Sequence, residues 1–158
     1  MPSDLVKVFR DELWVVLTAA LPVAELRAAI PLAHSLGMSA AKAFWLSVVG
    51  NILPIPFVLA ALWHYDRQLR QLPILGKILD WSMRRAMKQQ RNVERYGAVA
   101  LALFVAIPLP STGAWTGAIA AFLFGIGSRY ALPAIAAGVL LAGLIVTILT
   151  QGISAILP

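Results

Sequence analysis

The chain has 158 residues, of which 60% are hydrophobic and 13% are charged. A soluble domain usually carries about 25% charged residues, so this composition excludes a disordered chain and a soluble enzyme of ordinary composition. The chain contains no cysteine, which also excludes a disulfide-stapled secreted domain. The net charge of +6 belongs mostly to residues 66–95, so we interpret it as a signal of membrane orientation and not of nucleic-acid binding.

The first part of the chain predicts a re-entrant hairpin. Residues 1–12 fit a short amphipathic helix at the membrane interface. The next 12 apolar residues, Leu13–Ala24, would extend about 18 Å as a helix, against roughly 30 Å of hydrocarbon core. Pro22 suits the first turn of a new helix, and a second apolar stretch follows as far as Gly37. The turn would lie at membrane depth, where irregular backbone is tolerated only inside protein or beside a cavity.

The first full crossing is predicted over Ala43–Tyr65, 23 residues without a formal charge, with Ser39 as the N-cap. Pro54 and Pro56 should kink this helix near mid-depth. Asn51 lies beside the kink and is a candidate site residue. Its alternative role is a structural hydrogen bond to a neighbouring helix.

Residues 66–95 hold eight Lys or Arg and three acidic residues. One helical face would carry the basic side chains Arg84, Lys88, Arg91 and Arg95. This pattern predicts a basic amphipathic helix on the cytoplasmic side of the membrane. The helix either recognises anionic lipid specifically or only fixes the topology of the chain.

The second half repeats the plan of the first. An apolar segment over 97–107 precedes a turn at Pro108–Gly113, a return over Ala114–Gly125 and a final span over Ala131–Thr150. Setting Pro22 over Pro108 places Glu25 over Ser111, and Gly37 falls near Gly125. A hairpin enters and leaves the membrane on the same side, and the span that follows it crosses once. Each repeat therefore crosses an odd number of times, so the two repeats must be inverted relative to each other.

The predicted fold is therefore an all-α integral membrane domain over residues 1–158. It divides into a first repeat (1–65), a cytoplasmic linker (66–95) and a second repeat (96–158). We expect a multi-pass protein of the cell inner membrane with both termini outside. If each hairpin were instead one tilted span, the repeats would be parallel and both termini cytoplasmic.

Glu25 and Arg27 are the charges that the first hairpin would place at its turn. A charge at mid-bilayer costs about 2.5–3.5 kcal/mol on insertion scales, so such residues usually face a cavity or a partner. Two positions apart on one helix, their side chains would not face each other, and no simple local ion pair is expected. We interpret Glu25 as a proton carrier and Arg27 as an anchor for an anionic group such as phosphate. In the alternative, Glu25 complements a helix N-terminus and Arg27 binds a carbonyl of the opposing hairpin.

The second turn supplies the opposing half of the predicted site. Ser111 and Thr112 are expected to cap the return helix, and Gly113 to allow close approach of a ligand. Trp115 is expected either to stack on a substrate or to pack in the core. The candidate substrate and proton site comprises Pro22, Glu25, Arg27, Asn51, Pro108, Pro110, Ser111, Thr112, Gly113 and Trp115. We expect no catalytic residue, cofactor or metal, because the chain carries no motif for any of them.

Three segments resemble the putative small multidrug export protein family, a branch of the DedA-like membrane superfamily. They are residues 22–31 (PVAELRAAIP), Gly50-Asn51 and residues 107–118 (IPLPSTGAWTGA). The resemblance implies two inverted re-entrant repeats and a transporter. By analogy with DedA relatives, it also implies movement of polyprenyl-phosphate or phospholipid carriers.

The function predicted from these observations is a small secondary transporter, proton-coupled, with its site between the two hairpin turns. One alternative is a flippase or scramblase for anionic lipids, and another is a non-catalytic protein that organises the membrane. Expected partners are membrane lipids, protons and a small amphipathic or anionic-lipid substrate. A homodimer fits the small size of the embedded part, and no nucleic acid is expected.

Overall fold

The computed structural model describes residues 2–71, 77, 90–109 and 112–156. The described residues form helices and no strand. The helices are α1 (Pro2–Ala20), α2 (Glu25–Ser35), α3 (Ala40–Ile52), α4 (Ile55–His64), α5 (Asp66–Arg70), α6 (Gln90–Ala106), α7 (Ala114–Leu123) and α8 (Ser128–Ile156). They belong to two compact units, residues 1–54 with 139–158, and residues 55–138. The described residues confirm the prediction of an all-helical protein, and the inverted, re-entrant arrangement of the helices stays a prediction.

The first unit packs α1, α2 and α3 against one another. Its core is built largely from small side chains, which let helix backbones approach closely. The buried cluster comprises Val15, Ala19, Ala29, Ala33 and Ala43, and Leu32, Met38 and Leu46 pack against it. Close packing of small residues is how helices associate where the surroundings are as apolar as the protein.

The N-terminal segment differs from its prediction. An interfacial helix over residues 1–12 followed by a separate half-helix is wrong, because α1 runs without a break from Pro2 to Ala20. The charges near residue 12 looked like a boundary, but no glycine or proline lies between Ser3 and Leu21 to interrupt the helix. The first apolar segment is therefore the second half of a longer helix.

The break predicted at Pro22 is present. Residues 21–24 form the turn, and α2 starts at Glu25, three residues later than the expected start at Pro22. The α2 helix packs back on α1, as expected for a helical hairpin. Whether the hairpin enters a membrane from one side and returns to that side stays a prediction.

The two return helices, α2 and α7, end in the same way. At the end of α2 the amide of Gly37 donates to His34 and that of Met38 donates to Ala33. At the end of α7 the amide of Gly125 donates to Phe122 and that of Ile126 donates to Ala121. This is the Schellman pattern, and both glycines adopt the positive φ that it requires, 76° and 68°. The sequence match between Gly37 and Gly125 thus has a structural basis.

The predicted first span forms two helices. Ser39 is the N-cap of α3, as expected from its position, although its side chain makes no capping hydrogen bond. Leu53 and Pro54 separate α3 from α4, so the helix is interrupted where the prolines were predicted to kink it. Together, Ala40–His64 is 25 residues long and apolar enough to cross a membrane.

The second long apolar segment is Ser128–Ile153, within α8, which continues beyond the predicted end at Thr150. Only 33% and 39% of the residues in the most apolar windows of these segments are buried, whereas a core helix of a soluble protein is mostly buried. Large apolar side chains at the surface include Trp45, Val49, Phe57, Leu141, Leu144, Ile148 and Leu149. So much exposed apolar surface is expected of helices that face lipid.

In the second unit, α7 packs against α4 and α6. The rings of Trp63 and Phe122 meet edge to face, with their centroids 5.2 Å apart. The α6 helix starts at Gln90, so the end of the predicted linker and the third apolar segment form one helix. Most of the predicted basic amphipathic helix, residues 72–76 and 78–89, lies outside the described residues.

Two glycines occupy equivalent contacts in the two repeats. A Cβ atom added to Gly50 in α3 would lie 2.6 Å from the carbonyl oxygen of Val16 in α1. A Cβ atom added to Gly138 in α8 would lie 2.6 Å from the carbonyl oxygen of Ala102 in α6. In both repeats the glycine lets a long helix cross the hairpin's first helix at backbone contact. Together with the paired Schellman motifs, this shows that the two halves share one packing plan.

We predict that Gly50→Ala destabilises the protein by about 1–3 kcal/mol, because the new methyl group meets backbone that cannot rotate away. The measurement is thermal unfolding of the purified protein in detergent. Gly152→Ala in α8 is the matched control, since nothing lies within 4 Å of its new methyl group. An unfolding temperature of Gly50→Ala equal to that of Gly152→Ala would contradict the prediction.

Candidate functional site at the first helix break

Glu25 has an unusual backbone for its residue type. Its φ is 49°, the one positive value that the described non-glycine residues show. The left-handed conformation costs an ordinary residue about 1–2 kcal/mol, so the surrounding structure must hold it in place. The side chain is also buried, with 5% of its residue surface exposed. Strain and a buried carboxylate at one residue are a combination that is typical of functional positions.

Glu25 and Arg27 form an ion pair, which corrects the expectation that they would not meet. Arg27 Nη2 lies 3.7 Å from Glu25 Oε2. The spacing argument assumed that both residues are helical, whereas the left-handed φ of Glu25 turns its side chain away from the helical direction. A separation of 3.7 Å is longer than a hydrogen bond, so this contact is electrostatic and leaves room for rearrangement.

A second acid–base pair lies on the first unit. Glu12 of α1 and Lys42 of α3 form a salt bridge, with side chains 29% and 43% exposed, against 7% for Glu25 and 23% for Arg27. From Glu12 the apolar part of α1 continues to Ala20, about 12 Å along the helix at ~1.5 Å per residue. The Glu25–Arg27 pair therefore follows the C-terminal end of α1, well separated along the helix from the Glu12–Lys42 pair.

Two polar side chains of α3 are buried without a partner. Ser47 is 0% exposed and Asn51 is 1% exposed, and they lie one turn apart on the same helix face. Within the described part of the chain, Ser47 Oγ, Asn51 Oδ1 and Asn51 Nδ2 have no hydrogen-bond partner. The interhelical hydrogen bond that was the structural alternative for Asn51 is therefore not found there. Most buried polar groups are satisfied, so each exception needs an explanation.

Glu25, Arg27 and Asn51 lie near the C-terminal end of α1 in the first unit, and Ser47 lies one turn before Asn51 on α3. Gly50, next to Asn51, contacts Val16 and Ala19 in the last turns of α1. The turn over residues 21–24 follows directly after Ala20, and Glu25 is the first residue of α2 after that turn. We call Glu25, Arg27, Ser47 and Asn51 the deep polar layer. Ser47 is not among the residues predicted from the sequence. The signal that could have identified it is its spacing of four residues from Asn51 in a charge-free span.

The second turn uses Thr112 differently from its prediction. Its hydroxyl accepts a hydrogen bond from the Leu109 amide at 3.1 Å and donates to the Ile107 carbonyl. The N-cap of α7 is Gly113, with no side-chain capping bond, so the predicted capping by Thr112 is wrong. The Thr112 side chain instead links the turn to the C-terminal end of α6, where backbone groups lack helical partners. Pro110 and Ser111 lie outside the described residues.

The structure aligns the residues after the two turns differently from the alignment that Pro22 and Pro108 predicted. Counting back from the equivalent Gly37 and Gly125 pairs Glu25 with Gly113, and not with Ser111. By the same count Arg27 pairs with Trp115, which is half-buried in α7. The second turn is longer, which explains why a match anchored on Pro22 and Pro108 slips after the turn. The charged pair has no charged counterpart at the equivalent positions.

The structure brings Glu25, Arg27 and Asn51 to one level of the first unit. Pro22 lies in the turn directly before Glu25. Among the second-turn candidates, Pro108, Thr112, Gly113 and Trp115 lie in the second unit. That both turns contribute to one site stays a prediction.

The fold and the buried polar groups together define an all-helical membrane protein with a charged break inside an apolar helix bundle. Residues 25–145 match the family model described as "Putative small multi-drug export protein", and the chain belongs to that family. The matched region starts at Glu25 and contains Arg27, Ser47, Asn51 and the whole second turn. No curated protein and no solved structure matches the chain.

We predict that Thr112→Val lowers stability by about 0.5–1.5 kcal/mol, because it removes the hydroxyl that accepts from the Leu109 amide and donates to the Ile107 carbonyl. Thermal unfolding in detergent measures the effect. Thr112→Ser keeps the hydroxyl and should stay close to wild type. Thr147→Val is a second control, since the hydroxyl of Thr147 donates to the Gly143 carbonyl of its own helix and not to a turn. A Thr112→Val protein as stable as Thr147→Val would contradict the role assigned to the turn.

Proposed function

We propose that the protein is a proton-coupled secondary transporter whose first-turn residues, Glu25 and Arg27, handle proton and substrate. The observation that carries the proposal is the ion pair at the helix break, in which a buried Glu25 with a strained backbone meets a partly buried Arg27. A pair that served stability alone would gain little from burial, since replacing a buried pair by apolar residues is often neutral or stabilising. Membership of an export-protein family supports the transport role.

The proposed mechanism is a competition for Arg27. With Glu25 ionised, its carboxylate neutralises the guanidinium. When Glu25 takes up a proton, Arg27 loses that counter-charge, and its guanidinium binds an anionic group of the substrate by charge-assisted hydrogen bonds. Release of the substrate restores the ion pair and expels the proton. The 3.7 Å separation between Arg27 Nη2 and Glu25 Oε2 favours such exchange, because charge attraction and not a short hydrogen bond joins these two atoms.

The second turn completes the proposal as predicted from sequence. Gly113 at the start of α7 lets a ligand approach the backbone, and Trp115 offers an aromatic face. Asn51 contributes a polar group at the same depth as Glu25 within the first unit.

An anionic amphipathic lipid is the second candidate substrate class, which would make the protein a flippase or scramblase. The observation that favours it is the pair of apolar side chains in the first turn, because Leu21 is 56% exposed and Val23 is 95% exposed. A headgroup bound at Arg27 would leave its hydrocarbon tail beside these side chains. This arrangement suits a phosphate-bearing lipid better than a free anion.

The transport test uses proteoliposomes that contain the pH dye pyranine, with farnesyl phosphate as an anionic probe and ethidium as a cationic one. We expect farnesyl phosphate to drive proton flux through the wild type. Glu25→Gln should reduce that flux by at least about fivefold, the lower end of typical coupling between sites, because it cannot carry the proton. Arg27→Ala should abolish the response to farnesyl phosphate.

Glu12→Gln and Lys42→Gln are the matched controls, since they remove a more exposed acid–base pair of the same unit. Full proton flux in Glu25→Gln would contradict the coupling role. Flux driven by ethidium and spared by Arg27→Ala would favour export of cationic drugs over anion transport. Gradient-independent movement of a labelled phospholipid would indicate a scramblase. No movement of any probe would favour a membrane-organising protein.

We also propose that the repeats are inverted, with both termini outside the cell and the linker in the cytoplasm. Two membrane-capable helices and the basic linker support this topology. The chain has no cysteine, so single cysteines at Lys7, Lys77 and Gln151 give labelling without background. In intact cells an impermeant maleimide should label Lys7→Cys and Gln151→Cys, and should label Lys77→Cys only after permeabilisation. Labelling of all three only after permeabilisation would contradict inversion and indicate parallel repeats.

A further inference from the structure

Ser47 and Asn51 carry polarity that the fold does not require. Relative to the equivalent glycines Gly50 and Gly138, their counterparts in α8 are Ile135 and Val139. Both counterparts are apolar and buried, at 1% and 0% exposure. The same packing position is thus filled by hydrocarbon in one repeat and by unpartnered polar atoms in the other. Burying such atoms without partners costs free energy, so packing alone does not explain them.

The backbone next to Asn51 adds further oxygen atoms. Proline has no N–H, so Pro54 and Pro56 cannot donate to the carbonyls of Gly50 and Ile52, their partners in an unbroken helix. These carbonyls lie at the C-terminal end of α3, where the helix dipole is negative. Carbonyls of a broken helix, together with hydroxyl and amide oxygens, are the ligand set of sodium sites in transporters.

We propose that Ser47 Oγ, Asn51 Oδ1 and the freed carbonyl of Gly50 form a binding site for a monovalent cation such as Na⁺. All three ligands are uncharged oxygen donors, which suits a hard ion of single charge. A site for a divalent ion would be expected to include carboxylates. Among the described residues no group of three or more His, Cys, Asp or Glu side chains is placed to hold a metal. Asn51 Nδ2 cannot ligate a cation and takes no part in the site.

This inference stands apart from the proposed transport function, because ion binding can be measured without transport. The experiment follows thermal unfolding of the full chain in detergent as NaCl replaces choline chloride at constant ionic strength. We expect a saturable rise of the unfolding temperature with Na⁺, since a ligand that binds only the folded state stabilises it. Potassium chloride and lithium chloride series then give the selectivity.

Ser47→Ala and Asn51→Val each remove one ligand, and Asn51→Val installs the residue that α8 has at the equivalent position. Each should weaken apparent Na⁺ affinity by at least about tenfold. Thr147→Val, which removes a hydroxyl of α8 that already has a partner, should leave the Na⁺ response unchanged. Binding of radioactive ²²Na⁺ to the same proteins is the second measurement, which remains decisive if one variant folds poorly.

No Na⁺-dependent shift in the wild type, or equal shifts in the wild type and both variants, would overturn the proposal. An equal rise when choline chloride alone is added to the wild type would also overturn it, since it would report ionic strength alone. Loss of the Na⁺ response in Ser47→Ala and Asn51→Val, in a protein that moves no probe, would support the cation site while refuting the transport function. The two failures are thus distinguishable.

Discussion

A proline nitrogen cannot donate a hydrogen bond, and three such nitrogens lie where the apolar helices break, at Pro22, Pro54 and Pro108. Each break leaves backbone groups without their helical partners, and other protein groups or water must satisfy them. At the third break the hydroxyl of Thr112 satisfies the backbone of the turn. At the first two breaks the chain adds side-chain charge and polarity beyond what the backbone needs, at Glu25 and at Asn51.

The two repeats share their packing contacts and differ in their polar groups. Gly37 matches Gly125, and Gly50 matches Gly138, at positions where a turn or a backbone contact demands glycine. The residues that carry charge or unpartnered polar atoms in the first repeat correspond to Gly113, Trp115, Ile135 and Val139 in the second. The shared positions therefore serve the fold, and the divergent ones point to a function that is concentrated in the first repeat.

Much of the fold was predictable because proline and glycine act locally. The break at Pro22, the break at Pro54 and the end of each return helix followed from single residues. The continuity of α1 was missed because charges were taken as a boundary, although charged residues do not end a helix. The Glu25–Arg27 pair was missed because a positive φ at a non-glycine residue depends on tertiary packing that one sequence does not reveal. Ser47 escaped notice because a serine in an apolar helix usually bonds to its own backbone.

The arrangement of helix ends gives the deep polar layer a common electrostatic logic. Because α2 packs back on α1 and α3 follows the direction of α1, the N-terminus of α2 and the C-terminus of α3 lie at the same depth of the first unit. One end favours anions and the other favours cations. A single charge carried through an apolar core is expensive, whereas opposite charges held together cost less. An anion at Arg27 and a cation beside Asn51 would therefore load the first unit with little net charge, which is the physical reason to expect the two sites to act together.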